Sequence, residues 1–196
     1  QDGLPREGAG GLSGLVWRIG MEVELRRVQL RHWLPPGLRF GPWDLRRSAE
    51  VGELEFRAYQ GSEDARCFPR YLGSPERCRL ALEATYTGHQ FDRELSMLLL
   101  SGDDVVGHLQ ATSTPGRRIA FVMDLAVDPR LEGPARKGAG RALLTECLSR
   151  ALKAGYRQVG LSVTGANTRA VALYESLGFV ERSWWMEPVQ SDDGAI

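Results

Sequence analysis

Residues 128–142 read DPRLEGPARKGAGRA, with Arg136 and Lys137 ahead of Gly138-Ala139-Gly140 and Arg141 behind them. A basic, glycine-bearing turn that opens into a helix presents backbone N–H groups and the positive end of the helix dipole to an anion. Glycines also let a bulky phosphate come close to the main chain. The chemistry these residues indicate is capture of a phosphate-bearing ligand; a plain strand–turn–helix connection reads equally well. The elements that would hold the turn are legible on both sides. Ile119, Phe121, Met123, Leu125 and Val127 recur with period two, which marks a strand. Asp128-Pro129 stops it, since proline cannot continue the ladder. After the turn, Leu144, Leu148 and Ala151 form a helical stripe, with Leu143 and Cys147 beside it. The spacing predicts a helix from Gly138 to Ala154, ended by Gly155.

Downstream, Val159, Leu161 and Val163 alternate as a strand, and Asn167 can cap a helix whose inner face is Ala170, Leu173, Tyr174 and Leu177. Three features then stand in order: the strand ending Leu125-Ala126-Val127 with Pro129 two residues on, the Gly138-Ala139-Gly140 turn, and the Asn167…Tyr174…Gly178-Phe179 helix. Together they resemble the GNAT superfamily of N-acetyltransferases. The resemblance covers residues 38–187, with its specific part in 119–179. It implies an α/β fold of the α+β type, a mixed, largely antiparallel central sheet flanked by about four helices. It also implies an enzyme that moves the acetyl group of acetyl-CoA to a primary amine by direct attack in a ternary complex, without a metal. The chain departs from the family pattern at Ala135, where glutamine or arginine is usual. Arg136, Lys137 or Arg141 then supplies the missing charge. The loop after Pro129 is also longer than usual, with Gly133-Pro134 inside it.

Such a transfer makes four demands: the pyrophosphate held, the thioester carbonyl polarised, the amine made neutral, and the departing thiolate protonated. The first falls to the backbone from Ala135 to Arg141. By the resemblance, the second falls to main-chain N–H groups around Leu125, Ala126 and Val127, an oxyanion hole on a distorted strand. Tyr174 is the candidate general acid, since a phenol of pKa about 10 can protonate a thiolate; a core tyrosine on an amphipathic helix is the alternative. Asn167 reads as a helix cap, a ligand to the pantetheine arm, or both. Asp124 is the candidate base, on the opposite strand face from Met123 and Leu125; a structural aspartate is the alternative. Glu83, His89 and Glu94 are its rivals. Trp184-Trp185 reads as an acceptor wall or as packing.

The other function classes are a non-catalytic acyl-CoA-binding module of the same fold and a dinucleotide-binding domain. The second is disfavoured because Leu143 stands where the third glycine of that fingerprint belongs. The acceptor is an amine on a small molecule or a peptide; amino acids, polyamines, aminoglycosides, lysines and peptide N-termini all stay open.

The remaining chain is read as context. Its 196 residues favour one domain. With 25 basic and 25 acidic side chains the formal charge is zero, so no global pull toward nucleic acid or an anionic membrane follows. No apolar run approaches the roughly 20 residues of a membrane span. Cys67, Cys78 and Cys147 lack metal-ligand spacing and fit a reduced, cytoplasmic protein, although a Cys67–Cys78 disulfide is conceivable. Homodimer formation is left open. Residues 1–20 read as a mobile leader, with Met21 a candidate natural start. Residues 21–37 read as an extra strand or hairpin, and 38–190 as the acetyltransferase domain. Within that domain the pattern predicts a strand at Leu38–Phe40, a helix from Asp44 to Tyr59, and a polar loop from Gly61 to Gly73. A helix from Ser74 to Tyr86, a hairpin over Leu95–Ser113 and a last strand from Phe179 follow. The resemblance makes residues 59–86 the wall of the acceptor site.

Overall fold

The computed structural model describes residues 14–114 and 116–190. Its seven strands are β1 (Leu15–Glu24), β2 (Leu38–Pro42), β3 (Met97–Ser101), β4 (Asp104–Ser113), β5 (Ile119–Val127), β6 (Gln158–Thr164) and β7 (Val180–Pro188). They form one sheet in the order β2-β3-β4-β5-β6-β1-β7. Every pairing is antiparallel except β5 with β6. The helices are α1 (Ser48–Tyr59), α2 (Glu63–Cys67), α3 (Pro69–Leu72), α4 (Pro75–Thr87), α5 (Gly133–Lys153) and α6 (Thr168–Ser176). The mixed, mostly antiparallel sheet and its flanking helices match the expected fold class. Among the described residues no helix is long and apolar enough to cross a membrane.

Each face of the sheet has its own apolar layer. Leu143, Leu144, Cys147, Leu148 and Ala151 of α5 bury against Met21, Val23, Leu109 and Leu161. On the other face Val51 and Leu54 of α1 and Leu82 of α4 pack on Leu98, Leu100 and Ala126. The run Met97-Leu98-Leu99-Leu100 is apolar throughout because β3 is covered on both sides, odd positions by the first layer and even ones by the second.

Three expectations are corrected. The leader assigned to residues 1–20 is strand from Leu15 onward: β1 inserts between β6 and β7, with Val16 and Ile19 buried. It reads as structureless because Gly14 and Gly20 interrupt a short alternation. Residues 1–13, the rest of that leader, and the tail from Ser191 lie outside the described residues. Of the strand or hairpin expected over 21–37, the strand is present only as far as Glu24, as the second half of β1, and a 3-10 turn, Leu25–Arg27, follows. The expected polar loop over 61–73 holds α2 and α3. Cys67, Phe68 and Leu72 from it are buried with Cys78 and Val16 in a third apolar cluster. All three cysteines are buried free thiols.

Helix α5 begins at Gly133, five residues ahead of the expected start, so Gly138-Ala139-Gly140 is helix and not turn. Gly138 is glycine because the Trp33 indole lies on it: a Cβ there would sit 1.9 Å from the Trp33 ring. Ala139 is fully buried in the core.

Two outcomes follow from this packing. A chain beginning at Met21 loses the half of β1 that holds β7 against β6, and its melting temperature should fall sharply; an unchanged value would contradict the central placement of β1. Gly138→Val should destabilise by about 1–3 kcal/mol through overpacking, with part of the loss restored by Trp33→Ala. Thermal melts of the single and double variants decide it, and a wild-type melt for Gly138→Val would refute the Trp33 contact.

Candidate active site

Strand β5 carries one residue too many. Gln110 of β4 faces Asp124 and Ala111 faces Val122, so Met123 is a bulge. The parallel pairing with β6 stops at the same place, joining Ile119–Val122 to Gln158–Leu161 and going no further. Beyond it Leu125, Ala126 and Val127 line a cleft of about 720 Å³.

One set of lining residues is basic. Arg136, Lys137, Gly140 and Arg141 reach the cleft from the start of α5, and Arg169 of α6 adds another cation. Arg136 donates to the Pro129 carbonyl at 2.7 Å and Arg141 to Ser176 Oγ at 2.6 Å, which orients both guanidinium groups. The first turn of a helix leaves its N–H groups without intrahelical partners. With α5 starting at Gly133, those donors lie ahead of the glycine pair. Of the residues assigned to the phosphate grip, Ala135, Gly138 and Ala139 are not in the lining. At Gly140 a Cβ would meet Leu173, Leu125 and Val127 only at ordinary contact distances of 3.6–4.0 Å. Asn167 is both cap and lining: its side chain accepts from the Ala170 N–H at 3.2 Å, and it faces the cleft.

A second set comes from α1, α2 and α6. Tyr174 lines the cleft while its ring packs 5.8 Å from that of Phe179. Burial, with the Asp124 and Asp64 charges adding to it and Arg18 opposing, pushes its phenol up to about 12. Tyr59, Glu63 and Asp64 face the same space. These were not singled out in sequence, although Ser62-Glu63-Asp64 carries a helix-start signal: the Ser62 hydroxyl accepts from the Ala65 N–H at 3.1 Å. Asp64 is held by Arg18 at 3.3 Å and by Thr164. Arg57 of α1 reaches Asp128, just past β5, at 2.8 Å and fixes α1 against the mouth of the strand. Burial works against that carboxylate, but hydrogen bonds from Arg130 and Arg57 outweigh it and hold the Asp128 carboxyl at about 2.

Asp124 is not in the lining. Its carboxylate turns toward the α1 face, where Tyr59 Oη donates to Oδ1 at 3.0 Å. His108 Nε2 lies 3.8 Å from Asp124 Oδ2 and 3.7 Å from Glu55 Oε2. Burial, then the Asp124 charge and a hydrogen bond with it, drives the Glu55 carboxyl well above its ordinary range. Burial lowers His108, against the pull of Asp124, so the imidazole is neutral at neutral pH. Donor atoms of Glu55, His108 and Asp124 fall within 4.8 Å of one another. The two imidazole–carboxylate separations exceed the roughly 3.3–3.4 Å edge of a tetrahedral zinc site with bonds of about 2.0–2.1 Å. Tyr59 already occupies one Asp124 oxygen.

The rival carboxylates and Trp pair sit elsewhere. Glu83 is engaged by Ser48 Oγ and Arg79, both at 2.6 Å, while His89 and Glu94 are exposed and outside the lining. Trp184 stacks on Trp17 at 4.9 Å between ring centroids, and neither Trp184 nor Trp185 reaches the cleft.

Comparison with known proteins agrees with this architecture. The ribosomal protein bS18-alanine N-acetyltransferase of Salmonella typhimurium strain LT2 is 36% identical over 99 residues, covering 50% of this chain and 64% of that protein. The mycothiol acetyltransferase of Nocardiopsis dassonvillei is 30% identical over 192 residues, 83% of this chain and 55% of that protein. The chain thus spans less than two thirds of either relative. Among solved structures, the PaiA N-acetyltransferase of Thermoplasma acidophilum, in complex with coenzyme A, shares the fold at a TM-score of 0.54. It is 16% identical, over 71% of this chain and 87% of that one. A family model described as the acetyltransferase (GNAT) family matches residues 53–179, most of the span from α1 to the start of β7. The chain belongs to the acetyltransferase (GNAT) family.

Proposed function

We propose that this chain transfers the acetyl group of acetyl-CoA to a primary amine by direct attack within a ternary complex. The observation that carries the reading is the cleft itself. One space, opened where β5 leaves β6, is lined by the cations at the start of α5 and by the phenols of Tyr59 and Tyr174. Diphosphate on Arg136, Lys137 and the first-turn N–H groups of α5 would be favoured by charge and by the helix dipole. The pantetheine arm would run past Asn167 and along Leu125, Ala126 and Val127, whose side of β5 lacks a β6 partner beyond Val122. Main-chain N–H groups there would polarise the thioester carbonyl as an oxyanion hole.

The reaction needs an acid for sulfur and an acceptor for the amine's proton. Tyr174 serves as the acid: burial keeps its phenol protonated, and its proton passes to sulfur as the C–S bond breaks. Asp124 is the carboxylate that receives the amine's proton. Glu63 and Asp64 also line the cleft, paired with Arg66 and Arg18 respectively. One relative is named for the alanine of a ribosomal protein and another for mycothiol. The acceptor under this reading is an amine carried by a peptide or by a small molecule.

The test is turnover of acetyl-CoA with a panel of amines, followed by Tyr174→Phe. Phenylalanine keeps the ring packing on Phe179 and removes only the hydroxyl. The expected loss in kcat is about 10²-fold, the lower end for general acid catalysis, because a thiolate of conjugate-acid pKa about 8.5 leaves readily. Calorimetry should show unchanged acetyl-CoA affinity. An unchanged kcat would reduce Tyr174 to packing.

A further inference from the structure

Asp124 has the right chemistry for a base; its side chain is 19% exposed, and it is not among the residues that line the cleft. Between the two lies one hydroxyl. Tyr59 lines the cleft, and its Oη donates to Asp124 Oδ1 at 3.0 Å. Behind Asp124 come two groups with polar atoms lacking a partner: Glu55 Oε2, and both nitrogens of His108. Glu55 is 3% exposed and His108 fully buried. Three ionisable side chains from α1, β4 and β5 therefore meet under the floor of the cleft, with Tyr59 as their contact to it.

We propose, resting on the acetyltransfer reading above, that Tyr59 is the catalytic residue that takes the proton from the acceptor amine while passing its own hydroxyl proton to Asp124. Glu55 and His108 border Asp124 at the far end of this path, His108 Nε2 at 3.8 Å from its Oδ2.

Tyr59 cannot work by ionising first. Burial, then the charges of Asp124, Glu55 and Asp64 and the neighbouring Tyr174, holds its proton on. It acts as a concerted bridge. The ammonium N–H proton moves to Oη as the Oη proton moves to Oδ1, and the freed lone pair forms the C–N bond at the thioester carbonyl. The C–S bond then breaks with its electron pair on sulfur, Tyr174 protonates that sulfur, and Tyr174 is restored through water by the proton still in excess on nitrogen. Asp124 later returns its proton to solvent by the same path, so one proton is released per turnover of an ammonium substrate. The groups facing this relay are Glu55 and Tyr59 of α1, Asp64 of α2, Cys78 of α4, His108 of β4 and Tyr174 of α6. Arg18, whose charge acts on Tyr174, is paired with Asp64 at 3.3 Å.

The test is the pH profile of kcat/KM for wild type, Tyr59→Phe, Asp124→Asn and the double variant, with acetyl-CoA affinity measured calorimetrically on each. Each single variant should bind acetyl-CoA as wild type does and lose about 10²-fold in kcat/KM near neutral pH. Its rate should climb about tenfold per pH unit toward the amine's own pKa of about 10, because only amine already neutral in solution reacts. Wild type should level off well below that pH. The double variant should be no worse than either single one, since the two groups act as a unit. Wild-type rates and profile in Tyr59→Phe, or losses that multiply in the double variant, overturn the relay alone. Wild-type protein that binds acetyl-CoA but acetylates no amine overturns the acetyltransfer reading and the relay with it.

Discussion

The point on which the molecule turns is Met123. One extra residue in β5 against β4 coincides with the end of the β5–β6 pairing. A parallel pair that stayed in register to Val127 would fill its ladder and leave no gap between the strands. With the pair parted, the same backbone has one side held by β4 and the other turned to a cleft. The antiparallel pairing to β4 continues through Gly107 and Val127, so the strand is bent without being loosened. Every residue assigned a chemical role takes its place relative to that bend. Leu125, Ala126 and Val127 edge the cleft, Asp124 is turned through to the far layer, and the start of α5 is delivered to the opening by the short connection after Asp128.

The second organising constraint is polar. A buried, unpartnered polar group costs about 1–3 kcal/mol, and Glu55 and His108, beside Asp124, bring such groups into the layer beneath α1. An apolar trio of similar volume would extend the Val51, Leu54 and Leu82 layer at no such cost. Departures of this kind from the packing rules concentrate where a protein does chemistry. The cluster meets the cleft through Tyr59, at the C-terminal end of α1. Arg57, two residues earlier, fixes the same end of α1 to Asp128.

Much of this was legible in the chain because local signals and tertiary roles agreed. Asn167 caps α6 as its side chain predicts, the Gly102-Asp103 turn closes the β3–β4 hairpin, and Cys147 lies on the buried side of α5. The misreadings have physical causes. Gly138 and Gly140 suggested a turn because glycine weakens a helix by about 1 kcal/mol relative to alanine. Only the fold shows that Trp33, some hundred residues away, requires the first of them. The alternation from Ile119 to Val127 marked a strand correctly but concealed the bulge: Ile119, Phe121 and Met123 are exposed while Ala120 and Val122 are buried. Strand β1 was hidden because its partners, β6 and β7, come last in the chain. Glu55 and Tyr59 share one face of α1 at i, i+4, but His108 and Asp124 come from β4 and β5, so no local motif could join all four; only the packing of α1 on those strands does.

The central claim, that the parting of β5 from β6 creates the acyl-donor site, is tested most directly by a crystal structure of the protein with coenzyme A. The account predicts the pantetheine arm between β5 beyond Val122 and β6 beyond Leu161, with the diphosphate within hydrogen-bond reach of the first-turn N–H groups of α5. Tyr174 Oη should stand beside the sulfur. Coenzyme A bound away from this gap, or β5 and β6 paired through Val127 in its presence, would contradict it.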